Sequence, residues 1–517
     1  MRLFYHARRS LIRRFRWTST FLCRLKKMLL LLFVSFSLAK QFQFKSKDYG
    51  SVAVPDESCK YLSSQLFPRG ASSIDVAITA ALCSGIVNPY ASGIGGGGLM
   101  TIRSKIPSKI PLFFIDGGVV ENDLVIDCRE TAPESSFPEM FANASSSFGG
   151  LAIAVPGELW CLKIAHDAFG IIPWSILLKR VVDFAKTGFT VKRNLAWRLR
   201  KYKHIILRDP VLRESFAPKG ILLKEGETCF RNRLANFLDE IANYGINVFY
   251  DGSYAESMIN SISKNGGIFT IKDLNSYRPV IKKPLYSTFR NYKYMTPPPP
   301  SSGAILIAML NIIENFSLNN RNATSQHVLL ETTKFGQAMK TLMADSFNQP
   351  DIIKDVLKFI DKEIGEIISH KIDLYKTYKQ SFYGLNYSTI NEHGTCHISA
   401  ISQFDSVSFT TTINDNFGSF VTDFKSGIVF NNQMDDFSIP GTADSLGNPS
   451  NPRNFPRPGQ KPLSSMVPTI LWNDDVIVSI GGSGGHRILP SVFFSIVNLI
   501  EFKDGLYDLK YRLNCVL

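Results

Sequence analysis

Between Asp75 and Arg103 the chain runs from Val76 to Ile102 without a charged side chain, and this run holds Asn88, Pro89 and the glycine cluster Gly93-Ile94-Gly95-Gly96-Gly97-Gly98. Its length would cross a bilayer. The proline and glycines, however, would break a helix there and leave backbone groups without partners in lipid. The run is therefore expected to be a buried helix, a loop and a strand, which only a large packed core accommodates. The remaining sequence can supply that core: 517 residues, 44% of them hydrophobic and 20% charged, a composition that excludes a disordered chain. The glycine cluster also fits the G-x-G-x-x-G dinucleotide pattern formally. That pattern needs a strand before it and a helix after it; here the order is reversed, so close backbone packing is the better reading.

The net charge of +14 is concentrated at one end. Residues 1–27 carry nine basic side chains and no acidic one, which leaves +5 for the other 490 residues. That diffuse remainder is not the basic footprint that nucleic acid requires. The basic stretch leads into Met28–Ala39, twelve uncharged residues ending in Ser37-Leu38-Ala39. Residues 1–39 are expected to be a secretory signal peptide, or a signal anchor if Lys27 and Lys40 extend the apolar stretch. A start at Met28 would give an exported chain as well. Export to the cell surface or beyond agrees with the sequons at Asn143, Asn315, Asn322 and Asn386. Eight cysteines are too few for a disulfide scaffold. Cys59 and Cys83 flank a helix-like segment and suit one staple; the others read as buried thiols.

Helical patterning over 56–87 has a start signal at Ser72-Ser-Ile-Asp75. Strands are expected at 99–103 and 111–118, around a turn at 104–111. The stretch from 155 to 390 is mostly helical in period, with a helix start after Pro297-Pro-Pro-Pro-Ser-Ser-Gly303. From Gly394 to Asn432 the pattern alternates, which predicts a hairpin and further strands. Six prolines in 438–462 predict a long ordered loop. Strands at Thr469–Trp472 and Val476–Ile480, the glycine turn Gly481–Gly485 and a helix over about 490–502 complete a layered α/β domain.

His393-Gly394-Thr395-Cys396-His397 lacks the further ligands a metal site needs. Cys396 and His397, as strand neighbours, point to opposite faces and cannot form a dyad. A hairpin turn centred on Phe404-Asp405 would set Thr395 opposite Asn414 and His397 opposite Thr412, with Thr395, Thr412 and Asn414 on one face. A threonine nucleophile needs a base, and cleavage at Gly394–Thr395 would supply one as a free α-amine with a pKa of roughly 8. Asn431-Asn-Gln433-Met-Asp435-Asp436 offers groups to hold an ammonium, Ser464 and Ser465 offer hydroxyls to a carboxylate, and Gly482–Gly485 offers consecutive N–H groups as an oxyanion hole. Each also has a structural explanation as a capped strand end, a loop serine pair or a glycine turn.

Taken in order, these motifs resemble the γ-glutamyltransferase (γ-glutamyl transpeptidase, glutathione hydrolase) family of N-terminal-nucleophile hydrolases. The resemblance covers about residues 50–510. It is carried by 70–102, Cys128-Arg-Glu-Thr-Ala-Pro133, 149–158, Gly394–Ser399, Ser408–Asn414, Asn431–Phe437, Pro462–Met466 and Gly481–Gly485. It implies a four-layer αββα sandwich cut between Gly394 and Thr395 into a large subunit, residues 40–394, and a small one, residues 395–517. Thr395 would be the nucleophile and Thr412 its hydroxyl partner. Arg129, Ser464 and Ser465 would hold the substrate α-carboxylate, Asn414, Gln433 and Asp436 its α-ammonium, and Gly484 and Gly485 the oxyanion. The implied reaction is transfer of a γ-glutamyl group from glutathione or its conjugates to water, an amino acid or a dipeptide, with no cofactor. The resemblance also implies a Cys59–Cys83 disulfide and a glycan at Asn143. His393, Cys396 and the C-terminus at Leu517 depart from the family pattern. Two other readings use the same residues: an uncleaved, non-catalytic surface homologue, and a threonine amidase for another acyl group.

Overall fold

The computed structural model describes residues 50–505, apart from 115–117, 120–121, 319, 348, 390–391, 393, 415 and 446. The expectations for residues 1–39 and for His393 therefore concern positions outside the described residues, as does the chain beyond 505.

Twelve strands are described: β1 (Gly50–Ala53), β2 (Gly97–Ser104), β3 (Asp123–Cys128), β4 (Phe189–Thr190), β5 (Thr228–Cys229), β6 (Val280–Lys282), β7 (Leu285–Phe289), β8 (Tyr292–Thr296), β9 (Cys396–Ser402), β10 (Asp405–Thr412), β11 (Thr469–Trp472) and β12 (Ile477–Ile480). Apart from the short β4–β5 pair they form a six-stranded sheet, β1-β9-β10-β2-β3-β6, and a four-stranded one, β12-β11-β8-β7. The sheets stack with β10 against β11 and β12. Helices cover both outer faces. Ser73–Val87 packs on β9 and β10, and Glu158–Phe169 on β2 and β3. On the other side Gly303–Ile313 packs against β7 and the helix Ile488–Ile500. These four layers are the expected αββα sandwich.

The local chemistry explains the layers. Ser72 and Asp75 form a reciprocal capping box that starts the Ser73–Val87 helix. All fifteen of its residues are buried, because the helix lies beneath further helices as well as on the sheet. Strands β9 and β10 are buried along their whole length, as expected of strands covered on both faces. Their serines and threonines are satisfied across the layers: Ser408 donates to the Ile480 carbonyl, Ser479 to Val407 and Thr101 to Pro468.

Val76–Ile102 is a buried helix, a loop and a strand, and among the described residues no helix is long and apolar enough to cross a membrane. Four expectations need correction. Among the described residues of 111–118 there is only an isolated bridge, Phe113 to Val119; β3, at Asp123–Cys128, pairs with β2 instead. After the hairpin the chain does not continue as strands through 432. Asn414, Asn416, Phe417 and Phe420 adopt positive φ, which ends the ladder in a series of turns. The hairpin register is offset by two residues, with His397 opposite Thr410 and Cys396 opposite Thr411. Asp405 belongs to the strand, held by the Ser402 hydroxyl and the Ser73 N–H, so the loop is Gln403-Phe404. A shift of two keeps every side chain on its face, so Thr395 and Thr412 stay together. Finally, Cys59–Cys83 is a disulfide as expected, but Cys128 and Cys161 form a second one, joining β3 to the helix above it. Cys229 and Cys396 are the buried free thiols among the described residues.

Candidate active site

Thr395 stands one residue before β9 with φ of 123°. A β-branched residue rarely adopts that conformation, and holding one there costs on the order of 1–3 kcal/mol. Gly394 before it has φ of 53°. The Gly394 carbonyl oxygen accepts from the N–H groups of both Gly484 and Gly485, at 3.3 Å each, and Gly484 N–H also reaches Thr395 Oγ1 at 3.2 Å. Consecutive positive φ values, 117° at Gly484 and 61° at Gly485, turn the two donors toward one point. The carbonyl of the peptide bond marked for cleavage therefore already lies in a two-donor hole, beside the hydroxyl expected to attack it.

Thr412 closes β10, and its hydroxyl accepts the Asn414 N–H at 2.7 Å. Continuing the observed register by one pair sets Thr395 opposite Thr412. The sequence face is right, although the partner first assigned to Thr395, Asn414, lies two positions past the one it faces. Gly96 and Gly98 explain why the glycine run is needed here. A Cβ on Gly96 would lie 1.9 Å from the Thr412 carbonyl oxygen, and one on Gly98 2.4 Å from that of Thr410. The run is a packing surface for the hairpin that follows Thr395.

Arg129 follows β3 and is 1% exposed. Its Nη2 binds Asp436 Oδ2 at 2.6 Å and the Leu463 carbonyl at 3.0 Å, and Nε binds the Pro462 carbonyl at 3.2 Å. Asp436 also accepts from Asn414 Nδ2 at 3.2 Å and Gln433 Nε2 at 2.5 Å. Burial pushes the Asp436 carboxyl up against the pull of Arg129, with Glu392 adding to the rise. The expected carboxylate-binding and ammonium-binding groups thus meet directly, each satisfying the other. Ser464 Oγ accepts the Met466 N–H at 3.1 Å, while Ser465 is engaged by Glu392 and Lys340. His397, between Thr410 and Ser399, is buried and its pKa falls to about 3, which leaves it neutral and structural. A cavity of about 420 Å³ lined by Thr131, Tyr277, Lys282, Phe347 and Lys461 includes none of the expected site residues.

The sequence reading missed three residues that shape this region, Asn454, Lys340 and Glu392, and gave a fourth, Asn431, to the ammonium site rather than to the glycine loop. Asn431 ties the glycine loop to 154 through bonds to the Gly95 carbonyl and to both backbone groups of Ala154. Asn454 holds the Asp436 carbonyl and the Leu463 N–H, joining the two binding segments. Lys340 and Glu392 form a buried ion pair against Ser465. Only Glu392, an acid placed just before the cleavage motif, carried a signal in the sequence. The four sequon asparagines are all exposed.

The profile of the family described as gamma-glutamyltranspeptidase matches residues 59–509. Glutathione hydrolase proenzyme 1 of Schizosaccharomyces pombe is 34% identical over 474 residues, covering 89% of this chain and 72% of that protein. Among solved structures, a cephalosporin acylase from Bacillus halodurans shares the fold, with a TM-score of 0.74, 21% identity and coverage of 90% of this chain and 83% of that one. The γ-glutamyltranspeptidase of Helicobacter pylori aligns with a TM-score of 0.56 and 25% identity over 66% of this chain and 94% of that one.

Proposed function

Because the chain belongs to the γ-glutamyltranspeptidase family, we propose that it cleaves itself at Gly394–Thr395 and then hydrolyses the γ-glutamyl amide of glutathione and its conjugates, or transfers the γ-glutamyl group to amino acids. The observation that carries this reading is the Gly394 carbonyl held by Gly484 and Gly485 beside Thr395 Oγ1.

In maturation, Thr395 Oγ attacks the Gly394 carbonyl carbon and the oxyanion forms between the two glycine N–H groups. The Gly394–Thr395 C–N bond breaks, the Thr395 nitrogen takes the proton, and an ester joins Gly394 to Oγ. Water hydrolyses that ester, giving a Gly394 carboxylate, a free hydroxyl and a free α-amine. The strained φ of Thr395 is a torsion about a bond sequence that the cut abolishes, so cleavage relieves it. In turnover the α-amine accepts the Oγ proton as Oγ attacks the γ-carbonyl, the amine product leaves, and water or an amino acid takes the acyl group. The same glycine pair serves both reactions. Arg129 with Ser464 and Ser465 holds the α-carboxylate, for which a guanidinium fork is suited. Asp436, with Asn414 and Gln433 beside it, holds the ammonium. A plain acyl chain would have no use for either group.

Export, with residues 1–39 as signal or anchor, belongs to the same proposal. Two disulfides support an oxidising compartment, and the exposure of Asn143, Asn315, Asn322 and Asn386 is compatible with glycans there. The test is the purified protein on a reducing gel with N-terminal sequencing, followed by amine release from γ-glutamyl 4-nitroanilide. The expected result is two fragments, the smaller beginning Thr395-Cys396-His397, with activity. Thr395→Ala should give one inactive chain. A wild-type chain that stays intact and inactive overturns the reading in favour of a non-catalytic homologue.

A further inference from the structure

Half of the expected carboxylate site is already filled by a carboxylate of the chain itself. Glu392, three residues before Thr395, is 4% exposed. Its Oε1 accepts the Ser465 N–H, and its Oε2 accepts the Ser465 hydroxyl. Lys340, the last residue of the helix Ala323–Lys340, places Nζ against the same Oε2 and the same hydroxyl. Lys340 is itself 5% exposed, and its ammonium meets only Glu392 and Ser465 among the described residues. A backbone N–H, a hydroxyl and a dry ammonium converging on one carboxylate make a complete carboxylate-binding site.

Resting on the reading of Ser465 as part of the substrate site, we infer that Lys340 is a further carboxylate-binding residue of that site, occupied before cleavage by Glu392 and afterwards by the α-carboxylate of the substrate. Chain connectivity provides the exchange. Until Gly394–Thr395 is cut, Glu392 is tethered at the site; after the cut it lies two residues from a free chain end and can withdraw. Its departure leaves Lys340 as a buried ammonium without a counter-charge, an unfavourable state that an incoming carboxylate relieves. Before cleavage the same contacts fix the segment leading to Gly394, so Glu392 also acts as a positioning residue for the scissile peptide.

The experiment compares two uncleavable precursors, Thr395→Ala alone and Thr395→Ala with Glu392→Ala, by calorimetric titration with L-glutamate. The double variant should bind glutamate at least about tenfold more tightly. Equal affinities, or no binding by either, overturn the proposal. In the cleaved enzyme, Lys340→Met should raise KM for γ-glutamyl 4-nitroanilide about tenfold or more with little change in kcat, and Lys340→Arg should recover part of the loss. An unchanged KM in Lys340→Met overturns the binding role. If Lys340→Met does not fold, the precursor titration still decides. Absence of amine release by the cleaved wild type would instead defeat the underlying reading of the reaction.

Discussion

Arg129 and Asp436, paired at 2.6 Å and both buried, neutralise each other, and under the proposed function each would turn to a ligand group of opposite charge. A substrate with an α-carboxylate and an α-ammonium replaces one buried ion pair with two, so the site gives up no neutralisation when it fills. Arg129→Ala should therefore lower kcat/KM for γ-glutamyl substrates by about a hundredfold, mostly through KM. It should also destabilise the chain by about 3–5 kcal/mol, because Asp436 is left buried without its counter-charge. Steady-state kinetics and thermal melts of the same preparation check both effects; an unchanged KM would remove Arg129 from the substrate site. At this scale the sequence was informative. Thr395, Asp436 and the glycine pair were picked out by the chemistry their residue types allow, and Arg129 only by the resemblance of its motif to the family pattern. Lys340 was not, since a lysine ending an ordinary helix shows nothing until the tertiary fold sets it against Ser465.

The hairpin β9–β10 and the glycine run before β2 act as one device, since Gly96 lies against the Thr412 carbonyl where no side chain fits. Gly96→Ala must displace backbone rather than a flexible side chain, and should both lower stability and slow self-cleavage. Gly245→Ala is the control. Its φ of 84° also disfavours a side chain, but nothing lies within 4 Å of an added Cβ, so its cost is backbone strain of about 1–3 kcal/mol without loss of cleavage. The gel ratio of intact to cleaved chain distinguishes the two; equal cleavage would sever the link between the run and the nucleophile. Element types were readable from alternation and capping signals, as at Ser72 and Asp75. The register was not, because the Ser402–Asp405 contact that fixes it depends on the Ser73 N–H, a partner 332 positions away.

Across the whole molecule, burial of acids between layers ties stability to pH. Glu158, at the start of a helix and fully buried, has its carboxyl pushed up to about 8 by burial, with the Thr411 hydrogen bond opposing and Glu130 adding to the rise. In the unfolded chain a glutamate titrates at about 4.3. The folded state therefore binds the extra proton between those values. The resulting stability is fully present below the unfolded value and is lost as pH rises through about 8. Glu158→Gln, which cannot ionise, should melt close to the parent at pH 4 and increasingly above it as pH rises to 9. An identical difference at both pH values would show that Glu158 is ionised in the fold. Glu130, raised to about 7 by burial, carries the same sign and remains in both chains.

The sequence by itself determined a layered α/β domain, since this follows from periodicity and capping, whereas the αββα order and the roles expected of the site residues came with the family resemblance. Only the tertiary structure decided the two-residue offset of the hairpin, the second disulfide between Cys128 and Cys161, and the capture of Ser465 by Glu392 and Lys340. Each depends on groups distant in sequence meeting at hydrogen-bonding or covalent range. Local patterns constrain which face a residue takes, whereas the packing of layers fixes which residue stands opposite it.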